Sequence, residues 1–202
     1  MTLTATLVAD GTSDRVLLPI INFLMDEYSP RPHRVLFAEG LHAGPLSTRI
    51  PHAVNSFPCD LLFVHRDAEA TAVADREHEI RQATVALGAS AHPIHIIPVR
   101  MTETWLLVDV RAIRRAAGNP NGQQAVVVPP LDRLEAQPDP KEILFRALIA
   151  AKDLGARRLR GFRPETLRHR VSELIEDYGQ LRSLTSFRHF EQQVATYFQG
   201  QI

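Results

Sequence analysis

The chain has 202 residues, 45% of them hydrophobic and 23% charged, with 23 basic and 23 acidic side chains and a formal net charge of zero. That composition excludes a disordered or fibrous chain, and zero net charge excludes a partner recruited by overall charge alone. A single cysteine, Cys59, excludes an internal disulfide framework and a multi-cysteine zinc site, and leaves the thiol a buried structural role.

The opening MTLTATLVAD has neither a basic leader region nor a long apolar stretch, and no segment reaches membrane-spanning length. A cytoplasmic protein with no membrane association is expected. Residues 3–9 (LTATLVA) read as a buried strand, and the apolar spacing from Val16 to Leu24 reads as a helix packed on it, kinked at Pro19. Between them lies Asp10-Gly-Thr-Ser-Asp14, two carboxylates flanking a turn. Thr12, Ser13 or Asp14 can serve there simply as a helix cap.

A second strand is predicted at 33–38, a polar helix or loop around Pro51 at 45–57, and a strong third strand at 60–65 (DLLFVH), apolar on both faces. Residues 72–88 form an amphipathic helix ending at Gly88. A fourth strand is expected at 95–99, with Pro98 near an edge, and a helix at 103–117. Past a turn-rich stretch the chain becomes helical, at 141–154, 164–178 and 181–198, with Pro140 and Pro164 as first-turn prolines. Alternating strands and helices predict an α/β fold: a mostly parallel, Rossmann-like sheet with helices on both faces, over 1–120. An all-helical C-terminal subdomain, 121–202, is expected to pack on it. Phe187, Phe190, Val194, Tyr197 and Phe198 give the last helix an apolar face. It closes the protein's own core or forms an interface, in a homo-oligomer such as a dimer or with a heterologous partner.

The third strand runs into Arg66-Asp67-Ala68-Glu69. If the backbone stays extended, Asp67 and Glu69 point to one side. If strands one and three are neighbours, Asp10, Asp14, Asp67 and Glu69 converge at the carboxyl ends of the strands, where α/β sheets build their sites. Clustered carboxylates need a cation, and oxygen-only donors suit Mg²⁺ or Mn²⁺. Glu103, just beyond the fourth strand, is a further candidate ligand, although acids also favour a helix's first turn. Arg66 either contacts a phosphate or neutralises Asp67. Trp105 reads as core, His65 as a packing residue at a strand end, and Glu77 and Glu79 as a solvated face. The segment KDLGARRLRGFRPETLRHR, 152–170, holds seven basic residues against two acids, which suits either a phosphate track or an exposed helix.

Asp10-Gly-Thr-Ser-Asp14 resembles the Glu-Gly-x-Ser-Asp motif of Toprim domains, and Asp67-Ala68-Glu69 resembles their Asp-x-Asp motif. The resemblance covers about residues 3 to 117 and extends to the nucleases of the overcoming-lysogenisation-defect family. Glu103-Thr-Trp-Leu-Leu with Val108-Asp109 further resembles a segment of small Toprim-like proteins of bacterial defence and mobile-element loci. It implies a divalent-metal-dependent phosphodiesterase, a DNA or RNA nuclease of anti-phage defence. Asp67, Glu69 and Asp14 would hold the metal, with Asp10 as ligand or base and Arg66 orienting phosphates. It also implies an ATPase partner chain, since nothing here resembles a P-loop.

Two positions depart from the family pattern: Asp10 is one methylene shorter than the usual Glu, and Glu69 one longer than the usual Asp. A displacement of about 1 Å can cost a factor of order a hundred in rate. A binding module that regulates or tethers a partner without catalysis therefore stands beside the nuclease. Phosphoryl or nucleotidyl transfer to a small nucleotide needs the same groups.

Overall fold

The computed structural model describes residues 1–41, 43–87 and 92–200. Four parallel strands, β1 (Leu3–Val8), β2 (His33–Phe37), β3 (Leu61–His65) and β4 (His92–Ile96), pair in the order β2-β1-β3-β4. The crossovers carry α1 (Leu17–Tyr28), α2 (Leu46–Ser56) and α3 (Val73–Thr84). Every residue of β1 and β3 is buried, which is why both segments read as unbroken apolar runs rather than alternating ones. Side-chain alternation splits the core in two. Val8, Leu62 and Val64 pack with Ile50 of α2 and Ile80 of α3, whereas Leu3, Leu7, Leu61 and Phe63 join α1 and the C-terminal helices on the opposite face. The fold is α/β, with an all-parallel sheet covered on both faces, as the alternation of elements predicts.

Several local expectations need correcting. β4 begins three residues earlier than expected and contains Pro93, which an edge strand tolerates because one side of its backbone makes no ladder bonds. Pro19 is the third residue of α1, directly after a 3-10 turn at Thr12–Val16. A first-turn residue has no intrahelical donor to lose, so the expected mid-helix kink has no cause there. Around Pro51 the chain is helical. α3 ends at Thr84 and passes into a 3-10 turn, Val85–Leu87; Gly88, the expected stop, lies outside the described residues.

The helix expected over 103–117 is two, α4 (Glu103–Leu106) and α5 (Val110–Ala116). The Asp109 carboxylate accepts the backbone N–H groups of Arg111 at 2.8 Å and Ala112 at 3.1 Å, and this N-cap starts the second helix.

Beyond residue 120 come α6 (Pro140–Lys152), α7 (Ala156–Leu159), α8 (Arg168–Leu174) and α9 (Thr185–Gln199). Pro140 opens α6 as expected, whereas Pro164 opens only a 3-10 turn, Pro164–Leu167, before α8. These helices share one apolar core with the sheet. Phe190 stacks on Trp105 at 6.0 Å and meets Phe63 edge-on at 5.9 Å, and the Trp105 indole N–H donates to Ser186 Oγ at 3.0 Å. Phe187, Phe190, Val194 and Phe198 are buried in this core, so the apolar face of the last helix is not an oligomer surface. α9 also covers the free edge of β4. The Gln193 amide accepts the His95 N–H at 2.9 Å and donates to the His95 carbonyl at 3.1 Å.

Candidate functional site

The strand order brings the ends of β1, β3 and β4 side by side, and a cleft of about 380 Å³ opens there. Asp10, Asp14, Asp67, Glu69 and Glu103 line it, with Arg66, Arg76, Lys141 and Arg168. In the turn after β1, the Gly11 N–H donates to Asp14 Oδ2 at 2.9 Å and the Ser13 hydroxyl to Oδ1 at 3.3 Å. Asp14 is thus both the turn's own hydrogen-bond acceptor and a buried wall of the cleft.

Asp67 follows β3. The Thr102 hydroxyl donates to its carboxylate at 3.0 Å, and His65 Nε2 stands 3.5 Å away. Burial pushes the Asp67 carboxyl up to about 6, and the charges of Asp14 and Glu103 add to that, against the opposing pull of His65 and Thr102. His65 is buried at the end of β3 with Nδ1 3.1 Å from the Ile96 carbonyl. A carbonyl only accepts, so Nδ1 carries a proton and Nε2 faces Thr102 at 3.3 Å, Asp67 at 3.5 Å and Asp14 at 3.8 Å. His65 is therefore more than a packing residue: it joins both aspartates to the fourth strand.

Asp10 is placed differently from its expected role. Burial by itself would raise its pKa, but hydrogen bonds from Arg66 at 2.8 Å and Arg49 at 3.0 Å hold the carboxyl below the usual carboxylate range. Arg49 is buried in α2 and also donates to the Leu41 carbonyl at 2.9 Å and to the Ala9 carbonyl. Arg66 continues the pairing to Glu79 at 3.2 Å, Glu79 to Arg76 at 2.9 Å, and Arg76 to Glu69 at 3.7 Å. Alternating charges from Arg49 to Glu69 form a ladder along one wall. Both terminal nitrogens of Arg66 are engaged with acids rather than turned to a ligand, and Glu79 belongs to this wall rather than to a solvated face.

Glu69 lines the cleft but is not aligned with Asp67 as expected, for a backbone reason. Its φ is +53°, so the extended geometry that would align it with Asp67 is absent. Arg100, with φ +65°, faces it, and the two clasp: the Glu69 N–H donates to the Arg100 carbonyl at 2.8 Å, and the Arg100 guanidinium donates back to the Glu69 carbonyl at 3.3 Å. The Glu69 side chain is 65% exposed. Two facing left-handed non-glycine residues mark a wall held in costly geometry by its surroundings. Glu103 does reach the cleft, buried, with its carboxylate 2.6 Å from Arg168.

Among the described residues, no group of three or more His, Cys, Asp or Glu is arranged to hold a metal ion. Asp14 and Asp67 are the lining carboxylates without an arginine partner among those residues. Two such carboxylates fit Mg²⁺, which commonly takes one or two together with waters and substrate phosphates. Asp10, Glu69 and Glu103 instead face guanidinium groups.

Sequence reasoning passed over Arg49, Thr102 and Lys141, took His65 for a packing residue and took the face that carries Arg76 for a solvated one. Thr102 carried a signal, sitting beside Glu103 at the same sheet edge. Arg49 and Lys141 carried none, because neither lies near an acid motif in the sequence. Comparison with protein-family models, with the curated proteins and with the solved structures finds no match to this chain.

Proposed function

We propose that this chain is a divalent-metal-dependent phosphodiesterase, a Toprim-like nuclease acting on DNA or RNA, with Asp14 and Asp67 as the ligands of Mg²⁺ or Mn²⁺. One observation carries the reading. Asp14 and Asp67 come from the ends of neighbouring strands into one cleft without an arginine partner, and burial and surrounding negative charge disfavour the ionised form of Asp67. A cation between them would relieve that cost. Such a metal, when bound, polarises a phosphodiester and activates water.

The chain's own groups supply the rest. Thr102 and His65 fix the Asp67 carboxylate, and the Gly11 N–H fixes Asp14. Lys141, exposed at the cleft and in no ion pair among the described residues, offers three donors to a phosphate. Arg168, paired with Glu103, is a further basic group lining the cleft. The resemblance in the acid motifs supports the nuclease class, and it alone supports a setting in cytoplasmic anti-phage defence beside an ATPase chain.

Isothermal calorimetry with Mg²⁺ and Mn²⁺ on the wild type, Asp14→Ala and Asp67→Ala tests the reading. Binding that either substitution abolishes supports it; no binding by the folded wild type overturns it. A second reading, a non-catalytic module that tethers a partner, is favoured by Asp10. At the position the resemblance assigns to a base, two arginines keep the carboxylate ionised and engaged, which makes it a poor proton acceptor. Metal binding without phosphodiester cleavage by the wild type would select that second reading.

A further inference from the structure

The connection from α6 to α8 carries a cluster of exposed arginines. Residues 155–163, GARRLRGFR, contain Arg157, Arg158, Arg160 and Arg163 and no acid. All four arginines are exposed, and none forms an ion pair among the described residues. Elsewhere many arginines are matched: Arg15, Arg49, Arg66, Arg76, Arg115 and Arg182 each sit on a carboxylate. In a chain of zero net charge, four adjacent unmatched guanidinium groups are a local field, not a by-product of composition.

We infer that this arginine segment is a second binding surface, separate from the cleft, that holds the phosphate backbone of a nucleic acid. Guanidinium groups match phosphate oxygens bidentately. Arg157 and Arg158 line a shallow groove with Gly155. Gly155 has an ordinary φ of −61° and open space where a Cβ would stand, so neither the fold nor packing demands glycine there. Its small size leaves the backbone open to a close approach. None of the exposed large apolar side chains falls in 155–163, which disfavours a membrane surface, where insertion of apolar groups accompanies basic ones.

The surface is also aligned with the cleft. α6 carries Lys141 at the cleft and Lys152 beside the arginine segment, about 17 Å apart at helical rise. From Arg163 the chain returns through one 3-10 turn to Arg168, which lines the cleft again. A strand lying along α6 would thus meet basic groups at both ends. Two acids flank this field: Glu165 just past Arg163, and Asp153, in left-handed geometry at the end of α6, which lines the same groove as Arg157 and Arg158.

The inference extends the nuclease reading but is tested without metal. Fluorescence anisotropy in EDTA measures binding of a labelled mixed-sequence DNA strand, its duplex and the matching RNA over a salt series. The proteins are the full-length wild type, Arg157→Gln/Arg158→Gln/Arg160→Gln/Arg163→Gln, Asp153→Asn, and a control, Arg111→Gln/Arg133→Gln, exposed elsewhere. Thermal melting verifies that each is folded. The wild type is expected to bind at least one probe, with the quadruple variant at least about tenfold weaker and its log K against log salt slope reduced by about 3, at close to one unit per phosphate contact. Asp153→Asn is expected to tighten binding and the control to leave the slope unchanged. A wild type that binds none of the probes, or a quadruple variant that keeps the wild-type slope, overturns the inference. Loss of slope in a protein that fails to bind Mg²⁺ sustains this inference while overturning the metal-dependent reading.

Discussion

Arg49 and Asp10 meet at 3.0 Å, with the arginine side chain only 4% exposed beneath a carboxylate that is 36% exposed. The pair joins α2 to the end of β1, and Arg49 also satisfies two backbone carbonyls there. Removing the buried partner leaves those acceptors empty and Asp10 half matched. Arg49→Ala is expected to lose about 3 to 5 kcal/mol of stability in urea unfolding. A loss under about 1 kcal/mol, the scale of an exposed pair, would show that Arg66 alone sustains Asp10.

Asp67 gives stability a pH dependence of definite sign. Its folded pKa, about 6, lies above the ordinary 3.8, so the fold binds the proton more tightly than the unfolded chain does. The contribution is therefore fully present below about pH 4 and is lost as pH rises through about 6. In EDTA, Asp67→Asn should gain on the wild type across that window and then hold a constant lead of about 2 kcal/mol, a figure reduced for its partial exposure. Denaturant melts at acid and neutral pH measure it. A gap that shrinks toward neutral pH would contradict the assignment.

Thr102→Val keeps the shape of the side chain but deletes the hydroxyl that donates to Asp67 at 3.0 Å. The Asp67 carboxyl should titrate higher still, and Mg²⁺ affinity at neutral pH should fall about 10- to 100-fold, the scale of a lost outer hydrogen bond to a ligand. Carboxyl NMR titration and calorimetry report the two effects separately. Unaltered affinity with a raised pKa would remove Asp67 from the ligand set.

Ser186→Ala strands the buried Trp105 indole N–H, with an expected cost of about 1 to 3 kcal/mol. Trp105 is the chain's only tryptophan, so its fluorescence reports on the seam between α4 and α9. Because one core spans sheet and C-terminal helices, fluorescence and far-ultraviolet circular dichroism should lose signal in a single coincident transition. Two separated transitions would mean that the helices unfold independently of the sheet.

β1 and β3 were legible in the sequence because central parallel strands are apolar on both faces, and little else produces such runs. Asp14 and Asp67 were legible for a related reason: each stands a few residues past the end of a run that reads as a strand. What was hidden lay in geometry that no periodicity encodes. Asp109 divides a continuous apolar pattern through its side-chain hydrogen bonds, and β4 spans His92–Ile96 where the apolar run His95–Val99 was expected to be the strand. The alignment of Glu69 with Asp67 was lost to one left-handed φ. Arg49 changed the meaning of Asp10 from 39 positions away, a distance that only folding closes.

Gln193 bears on how large this sheet can become. Its amide meets the His95 backbone with one acceptor and one donor, the two groups an incoming strand would present at that place. A side chain on a helix thus impersonates the next strand and terminates the ladder, with the aromatic seam of α9 holding it in register. Lattice growth from this edge is blocked at one residue of β4. The helix that completes the core therefore also keeps neighbouring copies of the sheet from joining at that residue.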